Sequence, residues 1–203
     1  MKTLLLIDLQ NDFTPGGSLA VPDGDAVVHV ANRLMPDYDL VVATQDWHPA
    51  HHGSFAANHP GTAPGDTTTL GGLNQILWPT HCVQHTPGAE FHPDLNLAPI
   101  HHVIQKGTDP AIDSYSGFFD TGHRQATGLA ELLQARGATA VDIMGLALDY
   151  CVKFTALDAV KLGLKTTLIT EGCRAVNLEP GDSDRAVETM RSVGVYIKPN
   201  PKK

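Results

Sequence analysis

One cysteine stands where a strand is predicted to turn into a helix. Residues 140–144 are apolar and β-branched, which predicts a buried strand, and residues 152–162 carry apolar side chains at helical spacing. Cys151 lies between them, so we expect it near the first turn of the helix, with Asp149 as the N-cap. The free N–H groups of a helix start favour negative charge. We therefore expect a lowered pKa for the Cys151 thiol and a place to hold a developing oxyanion.

Two further reactive side chains follow predicted strands directly. Asp8 follows the apolar run 3–7, and Lys106 follows the run 102–105. Ligands of open parallel sheets bind at the carboxyl ends of strands, so Asp8, Lys106 and Cys151 are expected to supply base, cation and nucleophile to one crevice. Taken singly, Asp8 is also consistent with a helix cap or turn residue, Lys106 with a solvated strand end, and Cys151 with an inert buried thiol.

A carboxylate and several imidazoles form a second candidate group, a metal site. Nine of the 11 histidines fall between His48 and His102. Asp46 and His48 follow the second predicted strand, and His81 lies further along. Carboxylate and imidazole together suit zinc, iron or manganese, and three protein ligands would leave room for water or substrate. Spacing does not eliminate the competing histidines, which are His51, His52 and His85.

Charge, length and cysteine content exclude several classes of protein. The chain has 203 residues and a formal net charge of -8, which argues against nucleic acid or an anionic membrane surface as a partner. Three cysteines without regular spacing do not form a disulfide framework, so a cytoplasmic protein is expected. No apolar run is long enough to span a bilayer, and Asp8 interrupts the apolar N-terminus too early for a signal peptide.

Apolar runs alternate with helical patterns, which predicts an α/β fold with a mainly parallel sheet. The predicted strands are 3–7, 39–44, 102–105, 140–144, 165–169 and 195–197, and the predicted helices are 25–34, 125–136, 152–162 and 183–192. Residues 49–99 lack periodicity and hold seven of the 14 prolines, so we expect an irregular segment tied down by a metal ion. With no repeat or boundary, the chain is expected to form a single domain over 1–203, with a metal-binding insertion at about 46–100. Residues 199–203 are expected to fray.

Five short motifs, standing in order, resemble the isochorismatase-like hydrolase family, and within it the enzymes that hydrolyse nicotinamide. They are Ile7–Phe13, Asp46–Pro49, Trp78–Val83, Lys106-Gly107 and Gly145–Val152. One such motif would be a weak signal, but five in this order are specific. The resemblance extends from about Lys2 to Tyr196.

The resemblance implies a fold and a set of site residues. The fold is a doubly wound, three-layer sheet of strand order 3-2-1-4-5-6, with helices on both faces. The implied catalytic triad is Cys151, Asp8 and Lys106, and one divalent metal ion (zinc, iron or manganese) is held by Asp46, His48 and His81. A cis Leu146–Ala147 bond would aim the Ala147 N–H beside the Cys151 N–H as an oxyanion hole. Some relatives use a further histidine as a fourth metal ligand after a longer insert. Here His52 follows His48 by only four residues, so we expect it to contact the ligands rather than the metal.

The resemblance also implies a substrate and a reaction. Phe13 and Trp78 match positions that sandwich an aromatic substrate, and Tyr115 and Leu146 are expected to line the same pocket. The implied reaction is metal-dependent hydrolysis of nicotinamide, and of pyrazinamide, to the acid and ammonia through a cysteine thioester, as in NAD salvage. The expected partner is this small molecule, and self-association is left open. Two rivals remain: another amidase of the family, acting on a carbamoyl compound, and a metal-binding interaction protein with an inert cysteine.

Overall fold

The computed structural model describes residues 1–199, and the chain over this range alternates strands and helices. The strands are β1 (Thr3–Ile7), β2 (Leu40–Asp46), β3 (Thr67–Leu70), β4 (Leu73–Ile76), β5 (His102–Lys106), β6 (Ala140–Leu146), β7 (Lys165–Arg174) and β8 (Tyr196–Lys198). The α-helices are α1 (Ala26–Leu34), α2 (Leu129–Ala135), α3 (Lys153–Lys161) and α4 (Asp182–Ser192). A π-helical turn, Leu148–Val152, leads into α3.

Six of the strands form one parallel sheet of order β5-β2-β1-β6-β7-β8. Counted along this sheet in chain order, that is 3-2-1-4-5-6, as expected. Every residue of β1 and β2 is buried, which explains why residues 4–7 and 40–43 are continuously apolar rather than alternating. Because parallel crossovers are right-handed, the reversal of strand order beside β1 puts α1 on one face of the sheet and α2, α3 and α4 on the other. The α/β, doubly wound prediction is confirmed.

The predicted elements are present, but the bounds of α2 and β7 differ, and a hairpin lies in the segment expected to be irregular. Helix α2 begins at Leu129 rather than 125, because Gly128 has φ +94° and the Thr127 hydroxyl accepts the Leu129 N–H at 3.2 Å. Strand β7 runs five residues past 169 despite its polar end, and its pairing with β6 shifts register on the way. The segment 49–99 is not wholly irregular, since β3 and β4 form a hairpin in it.

The β3–β4 hairpin had a readable signal in the sequence. Gly71 and Gly72 separate two short runs, and both have positive φ, +57° and +79°. A Gly-Gly pair with this backbone is the usual two-residue turn between antiparallel strands. The expected tail at 199–203 falls, apart from its first residue, outside the described residues. Over the range 1–199, no helix has the length and apolar character that crossing a membrane would need.

Close packing of β1 on β6 gives the first prediction. Gly145 has φ +132°, and a Cβ there would lie 2.2 Å from the Ile7 carbonyl oxygen and 2.7 Å from the Ile7 nitrogen. Gly145→Ala should lower the free energy of unfolding by about 2–5 kcal/mol, because a backbone clash adds about 1–3 kcal/mol to a φ strain of about 1–2 kcal/mol. Denaturant unfolding measures this loss.

Gly163→Ala is the matched control for this substitution. Gly163 also has positive φ, +81°, but none of the described atoms lies within 4 Å of a Cβ built there. Only the φ strain should remain, about 1–2 kcal/mol. Equal losses in the two variants would contradict the close approach of β1 and β6.

Candidate active site

Strand register brings three predicted site residues to one edge of the sheet. Asp46 and Lys106 are direct partners across β2 and β5. Ile7, the last residue of β1, pairs with Gly145 of β6, so Asp8 follows β1 at the carboxyl end of the sheet. The strand order reverses between β1 and β6, and such a switch point is where open α/β sheets bind ligands.

The Lys106 ammonium is fully buried at the centre of this edge. Its three protons have three hydrogen-bond acceptors: Asp46 Oδ1 at 2.5 Å, the Ser114 carbonyl oxygen at 3.0 Å and Cys151 Sγ at 3.4 Å. Asp8 Oδ2 lies 2.9 Å from the same nitrogen as an ion pair. Burial alone would lower the pKa of Lys106, but the two carboxylates raise it well above its ordinary value, so the group stays an ammonium.

The two carboxylates beside Lys106 have opposite pKa shifts. Burial raises the pKa of Asp8, against the pull of Lys106. Burial also acts on Asp46, but Lys106 and then the neighbouring histidines hold its pKa well below its usual range. Asp8 Oδ1 accepts the Thr44 hydroxyl at 2.6 Å, which fixes the carboxyl group in place. Asp8 is therefore the carboxylate more ready to take a proton, and Asp46 is the permanent anion.

Cys151 sits in the turn between β6 and α3, as expected, but its pKa shift is opposite to the expectation. Burial raises the pKa of the thiol well above its ordinary value, and Asp8 and Asp46 add to the rise while Lys106 opposes it. The helix start does not outweigh desolvation at a site with two carboxylates. The thiol therefore carries its proton at rest and needs a base to remove it.

The N-cap expected at Asp149 is wrong. Asp149 lies inside the π-helical turn, and its carboxylate accepts the N–H groups of Val176 at 3.0 Å and Asn177 at 2.8 Å. The turn is preceded by Ala147, whose carbonyl oxygen accepts the N–H groups of Tyr150 and Val152. Asp149 thus binds a loop that is distant in sequence, which a local pattern cannot indicate.

Asp46, His48 and His81 form a buried group whose free ligand atoms converge. Asp46 Oδ2 lies 3.5 Å from His48 Nε2 and 3.9 Å from His81 Nε2. The Nδ1 atom of His48 contacts the Gly107 carbonyl oxygen at 2.8 Å, and that of His81 contacts the Pro79 carbonyl oxygen at 2.7 Å. Because a carbonyl oxygen only accepts, both Nδ1 atoms donate, which turns the two Nε2 atoms toward Asp46. This arrangement fits a divalent metal ion with outer hydrogen bonds that orient its ligands.

Gly107 explains why a glycine follows Lys106. Its φ is +66°, and a Cβ there would lie 2.3 Å from His48 Cε1. Only glycine lets the backbone approach the imidazole closely enough to accept its N–H. The Lys106-Gly107 pair therefore serves both parts of the site, with Lys106 beside Cys151 and Gly107 behind His48.

The competing histidines separate clearly in the structure. His51 is exposed, and His85 packs against the indole of Trp47 at 5.1 Å, away from the group. His52 is buried with its ring 4.3 Å from that of His48. Its Nδ1 contacts the Ser54 hydroxyl at 2.7 Å and the Ser54 N–H at 3.2 Å. Burial and His48 lower the pKa of His52 to about 4. His52 therefore contacts the group from behind as a neutral ring.

An aromatic-walled cavity opens beside the sulfur and the histidines. It encloses about 370 Å³ of free space, part of it open to solvent. Its aromatic walls are Phe13, Trp78, Tyr115 and Tyr150, and its floor includes Cys151, Ala147, Asp46, His48 and His81. The Tyr115 hydroxyl accepts the indole N–H of Trp78 at 3.0 Å and a Gln75 amide N–H at 2.9 Å, which fixes two walls.

The expected pocket residue Leu146 is placed elsewhere. Its side chain is fully buried in the hydrophobic core and does not line the cavity, because it ends β6 facing the interior of the fold. The bond that follows it, Leu146–Ala147, is cis as the resemblance implied. Ala147 lines the cavity next to Cys151.

Sequence reasoning missed several residues of the site. Thr44 bonds Asp8, Asp113 lines the cavity, and Leu19 and Val176 form its aliphatic side. Thr44 had a signal, since it lies two positions before Asp46 on the same face of β2. Leu19 and Val176 had none, because both are loop residues brought in only by the fold.

Comparison with known proteins identifies the class. The isochorismatase domain family matches residues 2–198, so the chain belongs to the isochorismatase family. A nicotinamidase from Escherichia coli (strain K12) is 52% identical over 97% of this chain and 93% of that protein. The solved structure of an Acinetobacter baumanii nicotinamidase/pyrazinamidase is 47% identical with a TM-score of 0.93, covering 97% of this chain and 94% of that one. A Pyrococcus horikoshii pyrazinamidase solved in complex with zinc is 38% identical with a TM-score of 0.79, covering 97% and 98%.

Proton release on metal binding tests the histidine geometry. Burial would lower the pKa of His48, but Asp46 raises it above the usual 6.5, so at pH 6 the ring is mostly protonated. His81, by contrast, has a pKa lowered to about 4 by burial and His48, and it is already neutral. A metal ligand must be neutral, so zinc binding at pH 6 should release about one proton, and affinity should rise with pH until His48 is deprotonated. Calorimetry in buffers of different ionisation enthalpy counts the proton.

Two variants control this measurement. His81→Ala should lose most of the zinc affinity, whereas His123→Ala, which changes an exposed histidine outside the group, should bind like the parent protein. Zinc binding without proton release at pH 6, or unchanged affinity in His81→Ala, would rule out this ligand set.

Proposed function

We propose that this protein hydrolyses nicotinamide to nicotinate and ammonia, and that it also hydrolyses pyrazinamide. The observation that carries the proposal is Lys106, which contacts Asp8 and Cys151 of a triad and also Asp46 of the metal group, beside an aromatic cavity. The identity to nicotinamidases over nearly the whole chain supports the same substrate. This activity would place the protein in the salvage of NAD.

The reaction begins with transfer of the thiol proton. Asp8 Oδ2 lies 2.9 Å from the Lys106 ammonium, and a ligand atom of Asp8 lies within 4.8 Å of Sγ. Asp8 takes the proton, and its raised pKa suits a base that must later return it. The sulfur attacks the carboxamide carbon, and the N–H groups of Ala147 and Cys151 hold the oxyanion.

Collapse of the tetrahedral adduct requires a protonated leaving group. Asp8 gives its proton to the amide nitrogen, the C–N bond breaks and ammonia leaves, which produces a thioester on Cys151. Asp8 then takes a proton from water, whose oxygen attacks the thioester carbon. The C–S bond breaks, Asp8 returns its proton to the sulfur, and the acid gives up its remaining proton to solvent and leaves as nicotinate. Throughout, Lys106 remains an ammonium that stabilises whichever of Asp8 and Cys151 is charged.

The remaining residues would bind and orient the ring. Asp46, His48 and His81 would hold one divalent metal ion, either zinc, iron or manganese, which supplies an electrophile for the ring nitrogen. Phe13 and Trp78 would pack on the ring faces, and Tyr115 would fix Trp78 through its hydroxyl. His52 would support His48, since the two rings lie 4.3 Å apart.

We also propose that the chain acts as one cytoplasmic hydrolase domain over 1–203, with residues 46–100 as its metal-binding insertion. Its partner would be the small-molecule substrate rather than nucleic acid or membrane. The rival activity, on a carbamoyl compound, is less well supported, because such a substrate offers no ring nitrogen to the Asp46 group and does not need four aromatic walls. Ammonia release from nicotinamide, compared with release from a carbamoyl amino acid, decides between them.

Cys151→Ala should abolish ammonia release while leaving the fold and zinc binding intact. The reason is that only Cys151, among the three cysteines, contacts Lys106 and lines the cavity. Cys82 and Cys173 are buried elsewhere, and burial raises the pKa of each thiol. Mass spectrometry of enzyme quenched during turnover should find the nicotinoyl group on Cys151. The group on Cys82 or Cys173, or residual turnover in Cys151→Ala, would contradict this mechanism.

Lys106→Met separates a charge role from a packing role, because methionine fills a similar volume. Loss of the ammonium should raise the pKa of both Asp8 and Cys151, since both are buried charges that it stabilises. We expect kcat to fall by about 10²–10⁴-fold, with slower alkylation of Cys151 at neutral pH. Lys106→Arg should not restore activity, because a planar fork does not replace a compact ammonium.

Lys161→Met is the matched control, since Lys161 is exposed and its ion pair within residues 1–199 is with Asp158. It should leave both readouts unchanged. Alkylation of Cys151 in Lys106→Met at the parent rate would remove Lys106 from the triad.

A further inference from the structure

Asp149 is a buried carboxylate that the proposed mechanism does not use. Only 2% of it is exposed, yet it lies two residues before Cys151 in the same π-helical turn. Its Oδ1 accepts the Val176 N–H and its Oδ2 accepts the Asn177 N–H. A buried carboxylate that spends both oxygens on one distant loop is costly unless the position of that loop matters.

The loop that Asp149 holds connects β7 to α4 and is held from both sides. Asn177 has φ +52°, a left-handed backbone that asparagine adopts more readily than most residues with a side chain. Its side-chain oxygen accepts the Ser183 N–H of α4 at 2.9 Å. Asp149 on one side and α4 on the other therefore hold this part of the loop at a defined place.

That place is the aliphatic side of the cavity. Val176, whose N–H is bound by Asp149, lines the same cavity as Cys151 and Ala147. Phe13 and Trp78 are buried walls, whereas Val176 is only half-buried. The Asp149 carboxylate therefore connects the turn that carries Cys151 to the backbone of Val176, which lines the cavity.

We propose that Asp149 is a positioning residue that sets selectivity against substituted rings by holding Val176 at the substrate cavity. The proposal rests on the proposed function in that the ligand is an aromatic ring amide. An unsubstituted six-membered ring fits, and a ring with a methyl group on the side of Val176 is rejected. Rejection of one extra methyl group by an apolar wall changes kcat/KM by about 10–200-fold.

The test compares nicotinamide with nicotinamides methylated once, at each free ring carbon in turn. Val176→Ala should raise kcat/KM for at least one methylated ring, relative to nicotinamide, by about tenfold. Asp149→Asn keeps the size of the side chain but turns an N–H donor toward one of the two loop N–H groups. It should favour the same methylated ring. The double variant should gain no more than Val176→Ala alone, because both act through one contact.

Asn177→Gly provides a variant that leaves the turn of Cys151 untouched. Glycine tolerates the positive φ but loses the bond to Ser183, so the same shift in selectivity should follow on a smaller scale. If Asp149→Asn lowers kcat on every ring equally and leaves the ratios unchanged, Asp149 has only a structural or catalytic role and the proposal is overturned. A selectivity change in Val176→Ala that neither Asp149→Asn nor Asn177→Gly reproduces also overturns it.

Hydrogen exchange separates this proposal from the proposed function. The Val176 and Asn177 amides should be protected in the parent protein and exchange faster in Asp149→Asn. Equal protection in both proteins would overturn the clamp even in an active enzyme. A parent protein that releases no ammonia from any ring amide would instead refute the proposed function, and exchange would still decide whether Asp149 holds the loop.

Discussion

The arrangement of the site depends on one buried ammonium, that of Lys106. Two carboxylates, a carbonyl oxygen and a sulfur surround it within 3.4 Å. Removing these charges from water is expensive, and the ammonium is what makes two buried carboxylates tolerable. Lys106 and the neighbouring histidines hold the pKa of Asp46 below its usual range, whereas burial raises the pKa of Asp8. The electrostatics therefore divide two identical functional groups into a permanent anion and a proton acceptor.

The same ammonium connects the two halves of the site. Asp46 Oδ1 accepts a hydrogen bond from Lys106, and Asp46 Oδ2 faces His48 and His81. Two buried carboxylates against one ammonium leave an excess of negative charge, which suits a divalent cation at the histidines. Gly107 then supplies the carbonyl oxygen that orients His48. Lys106, the last residue of β5, and Gly107, which follows it, thus position both the residues around the sulfur and the group that would hold the ring nitrogen.

Polar contacts to the β1 exit hold much of the long segment between β2 and β5. The Gln10 amide exchanges hydrogen bonds with the Asp46 backbone and donates to the Ala89 carbonyl oxygen. The Asp12 carboxylate accepts the Cys82 N–H at 2.7 Å, next to His81. Gln10 and Asp12 therefore help to place His81 near the Asp46 carboxylate, although His81 lies 35 residues after Asp46 in the chain. A segment with so little secondary structure can still present a ligand at a fixed position when its backbone groups are bonded in this way.

The sequence by itself determined the alternation of strands and helices, because continuous apolar runs and helical periods are local properties. It also placed Asp8, Asp46, Lys106 and Cys151 at strand ends, and the order of five motifs indicated the family and the ligand set. Tertiary structure decided what those residues do to one another: the pKa of Cys151 is raised rather than lowered, because burial outweighs the helix start. Tertiary structure alone also brought Thr44 to Asp8, placed Leu146 in the core and turned Asp149 from an expected cap into a clamp on Val176. These outcomes depend on strand register, desolvation and loops that meet across many residues, and none of these is contained in the spacing of neighbours along the chain.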